Sequence, residues 1–300
     1  MSHPIDEYLT QLKNELQGSD PATIQDALSD AEEHLRSALS IQLTDNTDST
    51  EEVVLQSIIE SFGTPDEIAA AYTEIETRMR PALAKRTDTT KRSFWKRFFG
   101  VIAEPRAWGA LLYMLLSLVT GVIYFSWAVT GLSTSLGLII LIIGLPIFGL
   151  FLLSIRGLAL IEGRIIEGLL GIQMPRRPLF IDHNLNLWER FKILFKDSRT
   201  WLAIVYMILM LPLGIIYFTV TVTLIAVSLS FIASPVLQII FSPEFISLPE
   251  GFPILGLSSP DALVPFLFVI GIILFFATMH LAKAIGWLQA RFAKSMLVRN

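Results

Sequence analysis

The sequence predicts an all-α protein: a small helical domain at the N-terminus, followed by a four-helix membrane domain. The 300 residues have a mean hydropathy of +0.59 and 17% charged side chains, against about 25% in soluble proteins. Residues 1–84 carry 17 acidic and 4 basic side chains, whereas residues 85–300 carry 10 acidic and 19 basic ones. This asymmetry indicates two parts with different surroundings, a polar acidic one and an apolar one with basic margins.

Apolar residues recur at helical spacing four times within residues 1–80, and each recurrence predicts one helix of a compact module. Asp20 followed by Pro21 predicts the start of the second helix, because Asp is a good N-cap and Pro suits the first helical position. Thr64 and Glu67 have the spacing of a capping box at the start of the fourth helix, just after Gly63 ends the third. We therefore expect a cytoplasmic module over residues 1–80 and a basic linker over 81–93.

Three short patterns in this module resemble a known family, and they are Tyr8-Leu9-x-x-Leu12, Asp30-x-x-x-His34 and Phe62-Gly63-x-Pro65-x-x-Ile68-Ala69. They resemble the HTH-associated α-helical signalling (HAAS) domain. The resemblance implies a bacterial helical module attached to membrane segments, with a PadR-like transcription regulator as its partner. Phe62, Gly63 and Pro65 are the candidate partner-binding residues. The acidity of the module argues against direct binding of nucleic acid, whose phosphates attract basic faces.

Four apolar runs are each long enough to cross a bilayer as a helix, which takes about 20 residues. These predicted spans cover residues 108–129, 136–155, 201–231 and 263–282. Lys and Arg cluster before the first span, between the second and third, and after the fourth. The connections 130–135 and 233–262 contain neither residue type. The positive-inside rule then predicts a multi-pass protein of the cytoplasmic (inner) membrane with both termini in the cytoplasm.

The membrane part contains an internal repeat with a shift of 93 residues. Trp108 matches Trp201, Tyr113-Met114 matches Tyr206-Met207, and residues 121–125 match residues 214–218. The matches predict a duplicated two-span hairpin, and each copy begins with a basic and aromatic helix lying on the membrane surface, at 94–103 and 185–196. The expected interfacial anchors are Trp95, Arg97, Trp108, Trp188, Arg190 and Trp201.

The same region resembles the sensor domain found at the N-terminus of some bacterial histidine kinases. The residues that carry the resemblance are Trp108-x-x-x-x-Tyr113-x-x-x-Ser117, Gly144-Leu145-Pro146 and Arg156-Gly157-Leu158-Ala159. It implies a sensor-like membrane domain over residues 94–300, and it names no ligand.

Few polar side chains lie in the spans, so those present are candidate ligand or packing positions: Tyr113, Tyr124, Tyr206, Tyr217, His280 and Lys283. Gly121, Gly214 and Gly137 are expected to let helices pack closely. Glu162 and Glu167 are five residues apart and diverge around a helix, which favours a solvated face over a paired-carboxylate site.

The chain carries no recognisable nucleophile elbow, phosphate loop or zinc-protease motif, and it has no cysteine. We therefore predict a non-enzymatic signalling protein that holds no cofactor or metal. It would relay a membrane or envelope signal through its cytoplasmic module to a protein partner. Two alternatives stay open: a subunit of a membrane transporter, and a lipid-binding or lipid-modifying protein. Assembly into a homo-oligomer also stays open.

Overall fold

The fold is given by a computed structural model of the chain. It describes residues 4–45, 51–78, 81, 83, 94–139, 144–176, 192, 194–241 and 260–298. Helices form the regular structure of these residues, and no strand occurs among them.

The N-terminal module consists of four helices: α1 (Pro4–Glu15), α2 (Pro21–Asp45), α3 (Glu51–Phe62) and α4 (Pro65–Arg78). Each helix turns one apolar stripe inward, as the spacing predicts, and the stripes form one core. The buried members of that core are Ile5, Tyr8, Leu12, Leu16, Ala27, Ala31, Leu35, Leu39, Val54, Leu55, Ile58 and Ala69. The module is therefore an all-α fold held by the burial of these apolar faces.

Side chains cap the module's helices at two of the predicted places. The Ala22 backbone N–H donates to Asp20 Oδ1 at 2.9 Å, so Asp20 caps α2. The Thr64 backbone N–H donates to Glu67 Oε2 at 3.1 Å, which is the return bond of the capping box at α4. A hydrogen bond from the Thr64 side chain also lowers the pKa of the Asp66 carboxyl.

The turn between α3 and α4 is tied to α1. Gly63 has φ +113°, a conformation that favours glycine, and its carbonyl accepts a 2.9 Å hydrogen bond from the Tyr8 hydroxyl. Beside it, the Phe62 ring stacks on His34 with centroids 4.6 Å apart. Burial, together with the nearby carboxylates of Glu67 and Asp66, raises the pKa of the Tyr8 hydroxyl to about 12.

Replacing Tyr8 with phenylalanine removes the hydroxyl and is expected to cost the module about 1 kcal/mol at neutral pH. Because the folded-state pKa of Tyr8 lies above the usual value of 10, this stabilisation is fully present below pH 10. It is lost as pH rises through about 12. Pulse proteolysis of the full-length chain should therefore show a deficit in Y8F at pH 8 that shrinks above pH 10. A deficit that stays constant across this pH range would contradict the raised pKa of the Tyr8 hydroxyl.

Residues 94–297 form the long helices. A short helix α5 (Phe94–Phe99) and a 3₁₀ turn (Gly100–Ala103) precede α6 (Pro105–Ile139), α7 (Gly144–Leu170), α8 (Ser198–Phe241) and α9 (Pro260–Leu297). The helices α6 to α9 are each long and apolar enough to cross a membrane. Helix α6 continues through residues 130–135, where the sequence predicted a connection. That segment contains no proline or charge, and a continued helix satisfies its backbone groups.

The chain divides into two compact units. The first unit contains Met1–Lys85, Ile123–Leu209 and Ala290–Asn300, and the second contains Arg86–Val122 and Met210–Gln289. The N-terminal module thus belongs to the same unit as α7, the beginning of α8 and the end of α9. Helices α6, α8 and α9 each contribute one stretch to either unit.

Candidate functional site

Within the first unit, the beginning of α2 contacts the segment that follows α7. Gly171 ends α7 with φ +68°, and residues 171–176 continue as non-helical chain. This segment brings Gln173 and Arg176 to the polar face at the start of α2.

Three polar contacts join the N-terminal module to the long-helix part of the first unit. We call these three contacts together the docking contact. Lys294, in the last turns of α9, places Nζ 2.6 Å from each carboxylate oxygen of Asp20. The Gln173 amide donates to Thr23 Oγ1 at 2.8 Å. The Arg176 backbone N–H lies 2.8 and 3.0 Å from the two oxygens of Asp26. Acidic groups of the module thus meet donors of the long-helix part, and Asp20 both caps α2 and holds Lys294.

Residues 171–176, which we call the docking segment, are held by charged side chains of α7. The Glu167 carboxylate accepts from Arg176 Nη2 at 2.9 Å and from Arg164 Nη1 at 3.1 Å. Glu167 is buried. The ion pair with Glu167 therefore fixes Arg176, whose backbone N–H binds Asp26 of the module.

A cavity of about 70 Å³ lies next to the docking contact. Its lining comes from α2, α7, the docking segment, the start of α8 with the preceding Asp197, and the end of α9, and it includes Gln25, Arg156, Gly163 and Met174. The lining combines apolar side chains with one ion pair, between Arg156 Nη2 and Asp197 Oδ2 at 2.6 Å.

Glu162 lies fully buried in the first unit, 0% exposed, between two tyrosines. The Tyr124 hydroxyl of α6 donates to Oε2 at 3.0 Å, and the Tyr206 hydroxyl of α8 donates to Oε1 at 2.8 Å. The prediction that Glu162 and Glu167 form a solvated face is wrong. The two side chains do diverge around α7, but other helices and the docking segment cover both.

The second unit contains a similar cluster around Gln289, which is also buried. The Tyr217 hydroxyl donates to Gln289 Oε1 at 2.9 Å. Gln289 Nε2 donates to the Tyr113 hydroxyl at 3.4 Å and lies 3.3 Å from Met210 Sδ. The four tyrosines predicted as ligand or packing positions thus form two pairs, one on a carboxylate and one on an amide. A ligand role for them stays a prediction.

An ion pair also occurs at corresponding places in both units. Arg156 pairs with Asp197 in the first unit, and Lys283 pairs with Glu104 in the second. Asp197 follows Glu104 by 93 positions, and Lys283 follows Arg156 by 127 positions, the same interval that separates Gln289 from Glu162. His280, one turn before Lys283, stacks on Phe98, and its Nε2 lies 3.1 Å from the Phe98 carbonyl oxygen.

Helices α6 and α8 touch at two glycines of the second unit. A Cβ atom on Gly121 would lie 2.6 Å from the Met210 carbonyl oxygen, and one on Gly214 would lie 2.3 Å from the Ser117 carbonyl oxygen. Close packing was predicted for both glycines. The same prediction for Gly137 is wrong among the residues that the structure describes, because none of them lies within 4 Å of a Cβ built there.

The predicted interfacial anchors are partly described. Trp95 is exposed and stacks on Phe99. The Trp108 indole N–H donates to the Ile102 carbonyl at 2.8 Å, and the Trp201 indole N–H donates to the Phe195 carbonyl at 2.9 Å. The side chain of Arg97, and both Trp188 and Arg190, lie outside the described residues. Their anchoring role stays a prediction.

Two family descriptions match the chain. Residues 113–297, more than half of the sequence, match the family described as "Putative sensor". The chain belongs to that sensor family. Residues 7–71 match the HAAS family. The chain thus combines a HAAS domain with a membrane sensor domain, and neither match is to a known enzyme family. No curated protein and no solved structure matches it.

Sequence patterns did not reveal Gln289, nor that Glu162 and Gln289 each bind two of the predicted tyrosines. Glu162-Gly-Arg164 and Gln289-Ala-Arg291 do form a related pair, but their spacing of 127 differs from the spacing of 93 in the preceding helices. The longer connection that precedes Gln289 therefore hid the correspondence. The docking residues Thr23 and Gln173 carried no detectable signal.

Proposed function

We propose that this sensor protein relays a membrane or envelope signal to a cytoplasmic protein partner, with the docking contact as the relay. Relay requires two states of the protein that differ in affinity for the partner. The observation that carries the proposal is the direct bonding of Asp20, Thr23 and Asp26 to residues that follow α7 or end α9. A shift of those helix ends would therefore move the residues that bind α2.

HAAS domains are associated with partner regulators, and a PadR-like transcription regulator is the partner we propose. Phe62, Gly63 and Pro65 are the proposed contact residues. The first two also have internal roles, in the Phe62 stack on His34 and the Gly63 bond to Tyr8. A partner would therefore bind an α3–α4 turn that is already held in one conformation. The acidic module argues against direct binding of DNA.

We place the protein in the bacterial inner membrane with both termini in the cytoplasm. The distribution of Lys and Arg supports this orientation, and the module then faces cytoplasmic regulators. We propose no enzymatic activity for the chain. Output through a bound partner requires no catalytic group.

We further propose that the membrane domain arose by duplication of a two-helix unit. Contacts that recur at the repeat interval support this. The Trp108 to Ile102 bond and the Trp201 to Phe195 bond join residues 93 positions apart in both donor and acceptor. The reciprocal packing of Gly121 and Gly214 obeys the same interval.

The relay is tested by weakening the docking contact. Asp20→Asn keeps a capping oxygen for α2 but removes the charge that holds Lys294, and Lys294→Ala removes the other partner. The Asp20 and Lys294 side chains are only 26% and 20% exposed. We therefore expect each change to cost about 1–2 kcal/mol of docking, or about five- to thirty-fold faster amide exchange over residues 22–26. Lys13→Ala, on the exposed face of α1, is the control and should leave the exchange unchanged.

The same variants test the output. The detergent-solubilised full-length chain should capture a PadR-like regulator from cytosol, and D20N and K294A should change the captured amount relative to K13A. Capture of no cytoplasmic protein by any variant would overturn the proposed function. Labelling of the module from outside intact cells would overturn the orientation.

A further inference from the structure

Glu162 is a buried acid that the docking contact does not use. We propose that Glu162 is a proton-binding site of the sensor domain, and that proton uptake there changes the docking of the N-terminal module. The second part rests on the proposed function, whereas the first stands independently of any partner. The chemical species bound is a single proton, taken up by one of the two carboxylate oxygens.

The geometry around Glu162 suits two protonation states. As a carboxylate, Glu162 accepts one hydrogen bond on each oxygen, from Tyr124 and from Tyr206. As a carboxylic acid, it gains one O–H donor, and a tyrosine oxygen next to it can accept that hydrogen. The tyrosine then turns its own hydrogen away, so proton uptake forms one O–H bond on Glu162 and replaces the hydrogen bond that this tyrosine donates with one that it accepts.

The second unit holds a permanently neutral version of the same cluster. Gln289 accepts from Tyr217 through Oε1 and donates to Tyr113 through Nε2. An amide that accepts on one side and donates on the other has the hydrogen-bond pattern of a protonated Glu162. The fold therefore accommodates the neutral state at this position, and the carboxyl group in the first unit adds the capacity to bind a proton.

The charged groups on the elements around Glu162 have contacts of their own. Arg156 of α7 pairs with Asp197 of the chain leading into α8, and Glu167 of α7 pairs with Arg164 of the same helix and with Arg176 of the docking segment. On α9, Lys294 pairs with Asp20, Arg291 is exposed, and Phe292 packs on the Tyr206 ring. Arg199 of α8 donates to the Ser295 carbonyl. Tyr124 of α6 and Tyr206 of α8, which donate to Glu162, are neutral donors that can follow a change in its charge.

A short path leads from Glu162 to the docking contact. The next residue is Gly163, which faces Met174. A Cβ built on Gly163 would lie 3.4 Å from the Met174 Cβ. Met174 follows Gln173, which bonds Thr23 of the module. Gly163 and Met174 also line the cavity, which brings its wall to within one residue of Glu162. A change in the packing of α7 at Glu162 would therefore move the segment that docks α2.

Infrared difference spectroscopy on the full-length wild-type protein in lipid tests the proton site directly. Between about pH 5 and pH 9 we expect a carboxylic-acid C=O band to convert to carboxylate bands. Glu162→Gln should lack this conversion, and it is expected to fold because Gln289 fills the corresponding place. Tyr206→Phe should shift the band, since it removes one hydrogen-bond partner. Absence of the conversion in the wild type, or its persistence in E162Q, overturns the proposal.

Amide exchange over residues 22–26 tests the coupling, once each exchange rate is divided by the intrinsic rate of an unprotected amide at the same pH. The resulting protection factor should change about fivefold or more between the two pH limits in the wild type and stay constant in E162Q. A wild-type protection factor that does not respond to pH overturns the coupling. Gln289→Glu is the matched control and should add a second titrating band. Neither readout involves a regulator, so failure to capture a partner would count against the proposed function and not against the proton site.

Discussion

Replacing Gly214 with alanine is expected to prevent α6 and α8 from packing and to cost the membrane domain about 3 kcal/mol or more. The new Cβ would lie 2.3 Å from the Ser117 carbonyl oxygen and 2.8 Å from its carbonyl carbon. These are backbone atoms of a helix, so no side-chain rotation relieves the contact. Close approach of two backbones at glycine is a common way for membrane helices to associate.

Gly121→Ala should behave in the same way, because its Cβ would lie 2.6 Å from the Met210 carbonyl oxygen. Gly157→Ala is the matched control, since no described residue lies within 4 Å of a Cβ at that position. Gly157 is also inside α7, where alanine stabilises a helix by up to about 1 kcal/mol over glycine. Thermal stability of the detergent-solubilised chain, read by size-exclusion after heating, should fall sharply for G121A and G214A and be unchanged or higher for G157A. Equal stability of all three variants would contradict the packing described here.

The contrast between these glycines marks what the sequence could predict. Local sequence patterns correctly predicted the Asp20 cap, the Thr64–Glu67 capping box and the turn at Gly63. They could do so because the residues that make each feature are close together in the chain. Composition placed the four apolar helices. Neither source distinguishes Gly121 from Gly137, since the difference is the presence of a second helix contributed by residues far away.

Glu162 shows the same limit for the candidate site. Helical periodicity correctly placed Glu162 and Glu167 on different faces of α7, but it could not say that both faces are covered. The covering groups, Tyr124 and Tyr206, lie 38 and 44 positions away. The repeat supplied a further clue, because Tyr206 is the counterpart of Tyr113 and Tyr124 that of Tyr217. Only the structure shows that the two tyrosines of each pair bind the same polar side chain, Glu162 or Gln289.

Arg156→Ala is expected to destabilise the first unit by about 2–4 kcal/mol. The Arg156 and Asp197 side chains are 14% and 24% exposed, and Arg156 also donates to Thr200 Oγ1 at 3.2 Å. Removing the guanidinium leaves the Asp197 carboxylate without its cationic partner at a position that water reaches poorly. An uncompensated charge at such a position is costly. Asp197→Ala should be similarly harmful, and the double variant should lose less than the sum of the two.

Lys283→Ala is the matched change in the second unit, and it should cost only about 0–1 kcal/mol. Its ion pair with Glu104 has side chains that are 38% and 36% exposed, so water can replace the lost partner. The two substitutions remove the same kind of contact at corresponding places in the two units, which makes the burial of the pair the main difference between them. Chemical unfolding in detergent should therefore separate R156A from K283A by about 1–4 kcal/mol. If both variants lose the same amount, then solvent access to these pairs does not set their strength, and the Arg156–Asp197 pair beside the cavity has no special role in holding α7 to α8.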